Sequence, residues 1–220
     1  VSALACQGVS LQRGRTRGSA PTTHKPTTDN LIIPPASAKI KALWYTGRTT
    51  LSWAFPQYMD ENDYALSERT GAALARAGLR LAVAESCTGG MVGEWISAVP
   101  GSSDYFLGGV ISYDNSLKEG LLGVPHEVIR EHGAVSAESA LAMAKGVRAL
   151  VRADIAVSVT GVAGPGGGSV EKPIGLTYIG IAGPHIERVE RHIWAGDRHG
   201  NREQSARRAL EMILEYLTAI

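Results

Sequence analysis

The sequence predicts an α/β layered domain on a mixed sheet. Three observations lead there. Short apolar runs at 81–84, 107–113 and 155–160 alternate with stretches of helical period. Each run gives way to a polar or glycine-rich segment of the kind that closes a strand. Near the C-terminus, runs at 174–182 and 187–194 flank Gly183-Pro184-His185, which reads as a hairpin turn and makes the sheet mixed rather than purely parallel.

The elements follow in order. Residues 61–77 suit a helix that stops at Gly78, and 81–84 a buried strand. Residues 88–98 look helical and are closed by Pro100-Gly101; 107–113 is the second strand. Short helices are expected at 116–122 and 125–131, with Pro125 at a helix start. Ser136 caps a longer helix with Glu138 and Ser139 in its first turn, and Leu141, Ala144, Val147 and Val151 keep helical spacing. After the third strand and the hairpin, a last helix is expected over 202–218, with the stripe Ala206, Leu210, Ile213, Leu214 and Leu217.

The first 58 residues differ. Segment 13–37 is rich in Thr, Pro, Ala, Ser and Arg and keeps no period, so it buries too little apolar surface to offset its ordering entropy. We read 1–58 as a disordered extension, a leader or an over-called translation start, since Met59 directly precedes the acidic helix start at Asp60, Glu61 and Asp63; residues 59–220 form the domain.

Composition narrows the function. Lys+Arg 22 against Asp+Glu 21 gives a net charge of +1, which argues against a dedicated nucleic-acid binder. No apolar run approaches the ~18 residues of a membrane span. Two cysteines, Cys6 and Cys87, make neither a disulfide framework nor a zinc site, and a reducing, cytoplasmic setting is the default. A twofold homodimer is expected only because it is the commonest closed assembly.

In a layered α/β sheet, ligands sit beyond the carboxyl ends of the strands. The first strand ends in Glu85-Ser86-Cys87-Thr88-Gly89-Gly90. There a hydroxyl stands where strand turns to helix, and free N–H groups about Cys87, Thr88 and Gly89 can hold an oxyanion. Taken alone, Ser86 or Thr88 reads as an N-cap followed by permissive glycines. No glycine stands two before Ser86, so this is not a G-x-S-x-G elbow, and no histidine offers itself as partner. Cys87 is the alternative nucleophile on chemistry alone, provided an electropositive neighbour activates it. The second strand leads into Tyr113 and, five residues on, Lys118. A lysine whose pKa is lowered can serve as base in a Ser–Lys pair; taken alone, Lys118 reads as a solvated lysine on a short helix. The third strand ends in Thr160-Gly161 and runs into a loop with Gly164, Gly166 and Gly167, either an anion nest or a flexible connector. Arg198 and Arg202 precede the last helix, where they either grip a phosphate or lie on the surface.

Together and in this order, "AESCTGG", "PGSSDYFLGGVISYDNSLKEGLLGV", "GAVSAESALAMAKGV", "SVTGVAGPGGGSVEKPIGLTYIG" and "AGDRHGNREQSARRALEMI" resemble the C-terminal domain of the competence/damage-inducible protein CinA. That family includes stand-alone nicotinamide-nucleotide amidohydrolases (PncC type), and the resemblance covers nearly all of the chain after Met59. It implies a three-layer α/β/α sandwich with a five-stranded mixed sheet. It also implies hydrolysis of nicotinamide mononucleotide to nicotinic acid mononucleotide and ammonia, as in NMN deamidases of pyridine-nucleotide salvage, without metal or cofactor. The family serine falls on Ser86, the lysine on Lys118 and the tyrosine on Tyr113; Arg198 and Arg202 match basic positions whose division of labour stays open. The other readings are a non-catalytic nucleotide-binding module of the competence/damage type and an amidase for free nicotinamide, against which the two arginines speak.

Overall fold

The computed structural model describes residues 59–220, so the expectations for 1–58 lie outside the described residues. Helix α1 (Glu61–Ala77) is capped by the Asp60 carboxylate and closed by left-handed Gly78. Strand β1 (Leu81–Glu85) leads through a turn into α2 (Met91–Ser97), then a 3₁₀ turn at Ser102–Asp104 and β2 (Phe106–Ile111). Helices α3 (Asn115–Gly120), α4 (His126–His132) and α5 (Ala137–Val151) precede β3 (Ile155–Gly161). The hairpin β4 (Leu176–Gly183) and β5 (Ile186–Ile193) and the long α6 (Arg198–Thr218) complete the fold.

The five strands form one sheet in the order β2-β1-β3-β4-β5. β1 is parallel to both β2 and β3, whereas β3–β4 and β4–β5 are antiparallel. The side-chain period of two in β1 divides the core. Leu81 and Val83 join Leu74 of α1, Trp95 and Ile96 of α2, and Leu210 and Ile213 of α6 on one face. Ala82 and Ala84 join Ala156 of β3 with Met143 and Val147 of α5 on the other. The small alanines let α5 approach closely, and a Cβ on Gly146 would collide with the Leu122 carbonyl. Helices on both faces of a five-stranded mixed sheet make the three-layer sandwich that the sequence implied.

Two boundaries move where caps decide them. α2 begins at Met91 rather than at 88, because the Glu85 side chain reaches past the turn and accepts from Gly90, Val92 and Gly93 N–H at 2.9, 3.1 and 2.9 Å. α6 begins at Arg198 rather than at 202, because Asp197 caps it through Gly200 N–H at 2.8 Å. Both Arg198 and Arg202 therefore lie on the helix, one turn apart. Among the described residues no helix is long and apolar enough to cross a membrane.

Candidate active site

Strand pairing builds the site. Glu85 ends β1 opposite Ile111 of β2, and the ladder runs one step further as Ser112 N–H donates to Glu85 O at 2.8 Å. On the other side, Ser86 N–H donates to Val159 O of β3 at 2.9 Å. Ser86 is thus fixed at the carboxyl ends of three strands. Beyond β2 the chain turns at Asp114, whose carboxylate caps α3 through Ser116 N–H at 2.9 Å. The Ser116 hydroxyl, donating to the same carboxylate at 2.6 Å, and then this N–H hold the Asp114 carboxyl below the usual carboxylate range. The first turn of α3 then sends Lys118 back toward the strand ends.

Lys118 is 1% exposed. Its Nζ lies 3.3 Å from Ser86 Oγ and donates to the carbonyls of Ser112 at 2.6 Å and Tyr113 at 3.2 Å. Burial pushes its pKa below the ordinary lysine value, against a weaker upward pull from Asp114. The surroundings suit a neutral amine. Such an amine has two N–H donors and one lone pair; the two carbonyls take the donors, and the lone pair is left for the Ser86 hydroxyl.

A cleft of about 280 Å³ opens over this pair, lined by Ser86, Cys87, Tyr113, Lys118, Thr160, Gly161, Gly164, Gly166, Gly167 and Arg198. Residues placed far apart in the chain by the sequence are here brought to one concavity. Thr160 closes one wall by donating from its hydroxyl to Ala134 O at 2.7 Å. At Gly161 a Cβ would stand 2.6 Å from Leu176 O, so the backbone approach there requires glycine. Arg198 crosses the cleft, donating from Nη1 to Gly164 O at 2.7 Å and from Nη2 to the Tyr113 hydroxyl at 3.1 Å. Its fork keeps further N–H groups for a ligand.

Three expected residues stand outside the lining: Thr88, Gly89 and Arg202. Gly89 N–H is spent on Ser86 O at 3.1 Å, and Glu85 occupies the N–H groups of Gly90, Val92 and Gly93. The first turn of α2 is therefore not open to an oxyanion as the sequence suggested. Among the described residues the N–H groups of Cys87 and Thr88 give to no backbone carbonyl, and of these two residues Cys87 lines the cleft. Arg202 donates from Nε and Nη2 to Thr88 O at 3.2 and 2.7 Å, and it lines a neighbouring cavity with Arg198, Pro165, Asp197 and His199. Cys87 is buried, which pushes its thiol up to about 12 and keeps it protonated, so it is a poor nucleophile. Sequence reasoning missed Asn115, Ala134, Val135, Val162 and Ala163 among the lining residues, as well as the carbonyls of Ser112 and Tyr113. Asn115 stood inside the motif that pointed to Lys118; a carbonyl's role leaves no trace in residue type.

The fold and site define a class: three-layer α/β domains that seat a serine beside a buried lysine at the carboxyl ends of parallel strands. Comparison with known proteins makes this specific. Residues 63–217 match the family model of the CinA C-terminal domain, and the chain belongs to that family. It is 49% identical over 152 residues to a CinA-like protein of Desulfotalea psychrophila, covering 69% of this chain and 37% of that protein. It is 49% identical over 158 residues to a putative competence-damage inducible protein of Moorella thermoacetica, covering 72% and 38%. The chain thus spans little more than a third of the length of these relatives. Among solved structures, a CinA superfamily protein of Klebsiella pneumoniae aligns with a TM-score of 0.70 at 31% identity, over 73% of this chain and all of that one. The competence/damage inducible protein CihA of Agrobacterium tumefaciens aligns with a TM-score of 0.67 at 38% identity, over 74% and 98%.

Proposed function

We propose that this chain is a Ser/Lys amidohydrolase that converts nicotinamide mononucleotide to nicotinic acid mononucleotide and ammonia. The observation that carries the proposal is the buried Lys118 Nζ, 3.3 Å from Ser86 Oγ and saturated by two carbonyls on its other side. Neutral Lys118 takes the hydroxyl proton as Ser86 Oγ bonds to the carboxamide carbon. The carbonyl electron pair moves to oxygen, to which the cleft-lining Cys87 offers its N–H group. When the tetrahedral carbon collapses, its C–N bond breaks and Lys118 returns the proton to the leaving nitrogen as ammonia. Water, deprotonated by Lys118, then attacks the acyl-enzyme; the carboxylate leaves and Ser86 regains its proton. The Tyr113 hydroxyl, held by Arg198, borders the same cleft and orients the substrate. Arg198 supports the choice of a phosphorylated substrate over free nicotinamide, because a cationic fork on the cleft wall matches a phosphate.

The test is ammonia release from the mononucleotide by purified protein. Ser86→Ala and Lys118→Ala are expected to lose about 10³-fold or more of kcat/KM, in line with removal of a nucleophile or its base. Cys87→Ser is expected to stay within about 3-fold of the parent, since a fully protonated thiol takes no part. Arg198→Gln is expected to raise KM for the mononucleotide and leave free nicotinamide unaffected. Binding of the mononucleotide without turnover by the parent protein would replace this reading with a nucleotide-binding module.

A further inference from the structure

We infer that Arg202 is a positioning residue for the nucleophile turn, holding the Thr88–Gly89 peptide in place, and not a ligand of the substrate. The inference rests on the Ser86/Lys118 reading proposed above. Arg198 and Arg202 lie one helical turn apart on α6, near the same cleft, and in the sequence they look alike. Their contacts differ in kind. Arg198 reaches two groups that line the cleft, whereas Arg202 spends Nε and Nη2 on one neutral carbonyl, Thr88 O, at 3.2 and 2.7 Å.

That carbonyl sits where the turn is least constrained. Gly89 and Gly90 both have positive φ, +60° and +100°, and two successive glycines leave the preceding peptide free to rotate. Thr88 does not anchor it: the residue is fully buried, yet among the described residues its hydroxyl has no hydrogen-bond partner. The remaining ties are Gly89 N–H to Ser86 O at 3.1 Å and a long Met91 N–H to Thr88 O at 3.4 Å. Rotation of the Thr88–Gly89 peptide would break both. The guanidinium lies directly over this peptide: a Cβ built on Gly89 would meet Arg202 Nη2 at 3.7 Å. A charged, two-donor contact to a carbonyl is the strongest tie in the turn. By fixing that peptide, Arg202 holds the turn that carries the Cys87 N–H group, on which the oxyanion depends.

The experiment compares Arg202→Gln and Arg202→Lys with the parent. A lost oxyanion donor costs about 10²–10³ in kcat, and a loosened one costs less. Arg202→Gln is therefore expected to lower kcat about 10- to 100-fold with KM within about 2-fold. Arg202→Lys is expected to fall between, because an ammonium replaces the fork with a point charge. Independently of turnover, amide hydrogen exchange of the segment 87–90 should accelerate in Arg202→Gln while β1 and β3 stay protected. A KM raised tenfold at unchanged kcat would make Arg202 a substrate ligand and overturn the inference, as would unchanged exchange in 87–90. If the parent releases no ammonia from the mononucleotide, the proposed reaction fails and the exchange comparison still decides the role of Arg202.

Discussion

A single amine governs the chemistry proposed for this site, and its environment makes that amine testable by pH. Lys118 must be neutral to accept the Ser86 proton, and burial lowers its pKa below the ordinary lysine value of about 10.4. The sign follows: kcat/KM should rise with pH through the depressed Lys118 value and level off above it. Lys118→Arg, whose side chain stays protonated, should abolish the rising limb together with the activity. A profile flat across the range would remove Lys118 as base. Stability shifts in the same direction, because between the depressed and ordinary values the unfolded chain binds more protons than the folded one. At this scale the sequence was informative about residue type and silent about partners. Ser86, Tyr113 and Lys118 stood in motifs, so their meeting was legible. What tunes Lys118 was not: two backbone carbonyls and a depth of burial are properties of the fold. Nor was the difference between Arg198 and Arg202, two identical side chains whose hydrogen-bond partners differ.

At the scale of elements, caps position the site. Glu85 ends β1, is 1% exposed, and gives its carboxylate to three N–H groups of α2. A negative group at a helix N-terminus is favoured by the macrodipole, and here it also ties the helix to the strand that delivers Ser86. Glu85→Gln keeps the shape but puts an amide N–H₂ where an acceptor is needed, at a cost of about 2 kcal/mol for a charged hydrogen bond lost in a buried site. Denaturant unfolding is the measurement; a midpoint equal to the parent's would show that the cap adds nothing. The caps also explain which boundaries were readable. Ser136 before Ala137 and Asp60 before Glu61 are local signals, and both helices begin where the sequence put them. The start of α2 was misplaced because its cap comes from five residues upstream, across a turn. The start of α6 was misplaced although Asp197 is an ordinary cap, because Gly200 in the first turn disfavours a helix by about 1 kcal/mol relative to Ala.

Across the whole molecule, connectivity explains why the cleft lies where it does. After β1 the chain passes to α2 on the face shared with α1 and α6; after β2 it passes to the helices on the face of α5. Neighbouring parallel strands whose exits diverge leave a crevice between them, the general place for a ligand in such sheets. Ser86 enters it from one exit and Lys118 from the other. The alternation of strands and helices was legible from apolar periodicity, and so was the hairpin, which turns at Pro184 and His185. The order β2-β1-β3 was not, since no residue type records which strand a strand sits beside. On the far side of the sheet, α6 is held to β5 by a forked pair: Arg208 Nε and Nη2 donate to the two Glu190 oxygens at 2.8 and 2.9 Å. Arg208 pushes the Glu190 carboxyl down to about 2, with desolvation opposing and the His192 hydrogen bond assisting. Unfolded, the same group titrates near 4.3, so its contribution to stability is complete above that value. It is lost as pH falls through about 2. The pair is partly solvated, which limits its worth to about 1 kcal/mol. Glu190→Gln should therefore be less stable than the parent at pH 7, by an amount that salt reduces. The two should converge as the pH drops from about 4 toward 2, because protonation then removes from the parent the charge that the variant already lacks. Urea unfolding of both proteins at a series of pH values checks it: a gap that persists below pH ~2, outside the titration window, would mean that the two proteins differ by packing and not by charge.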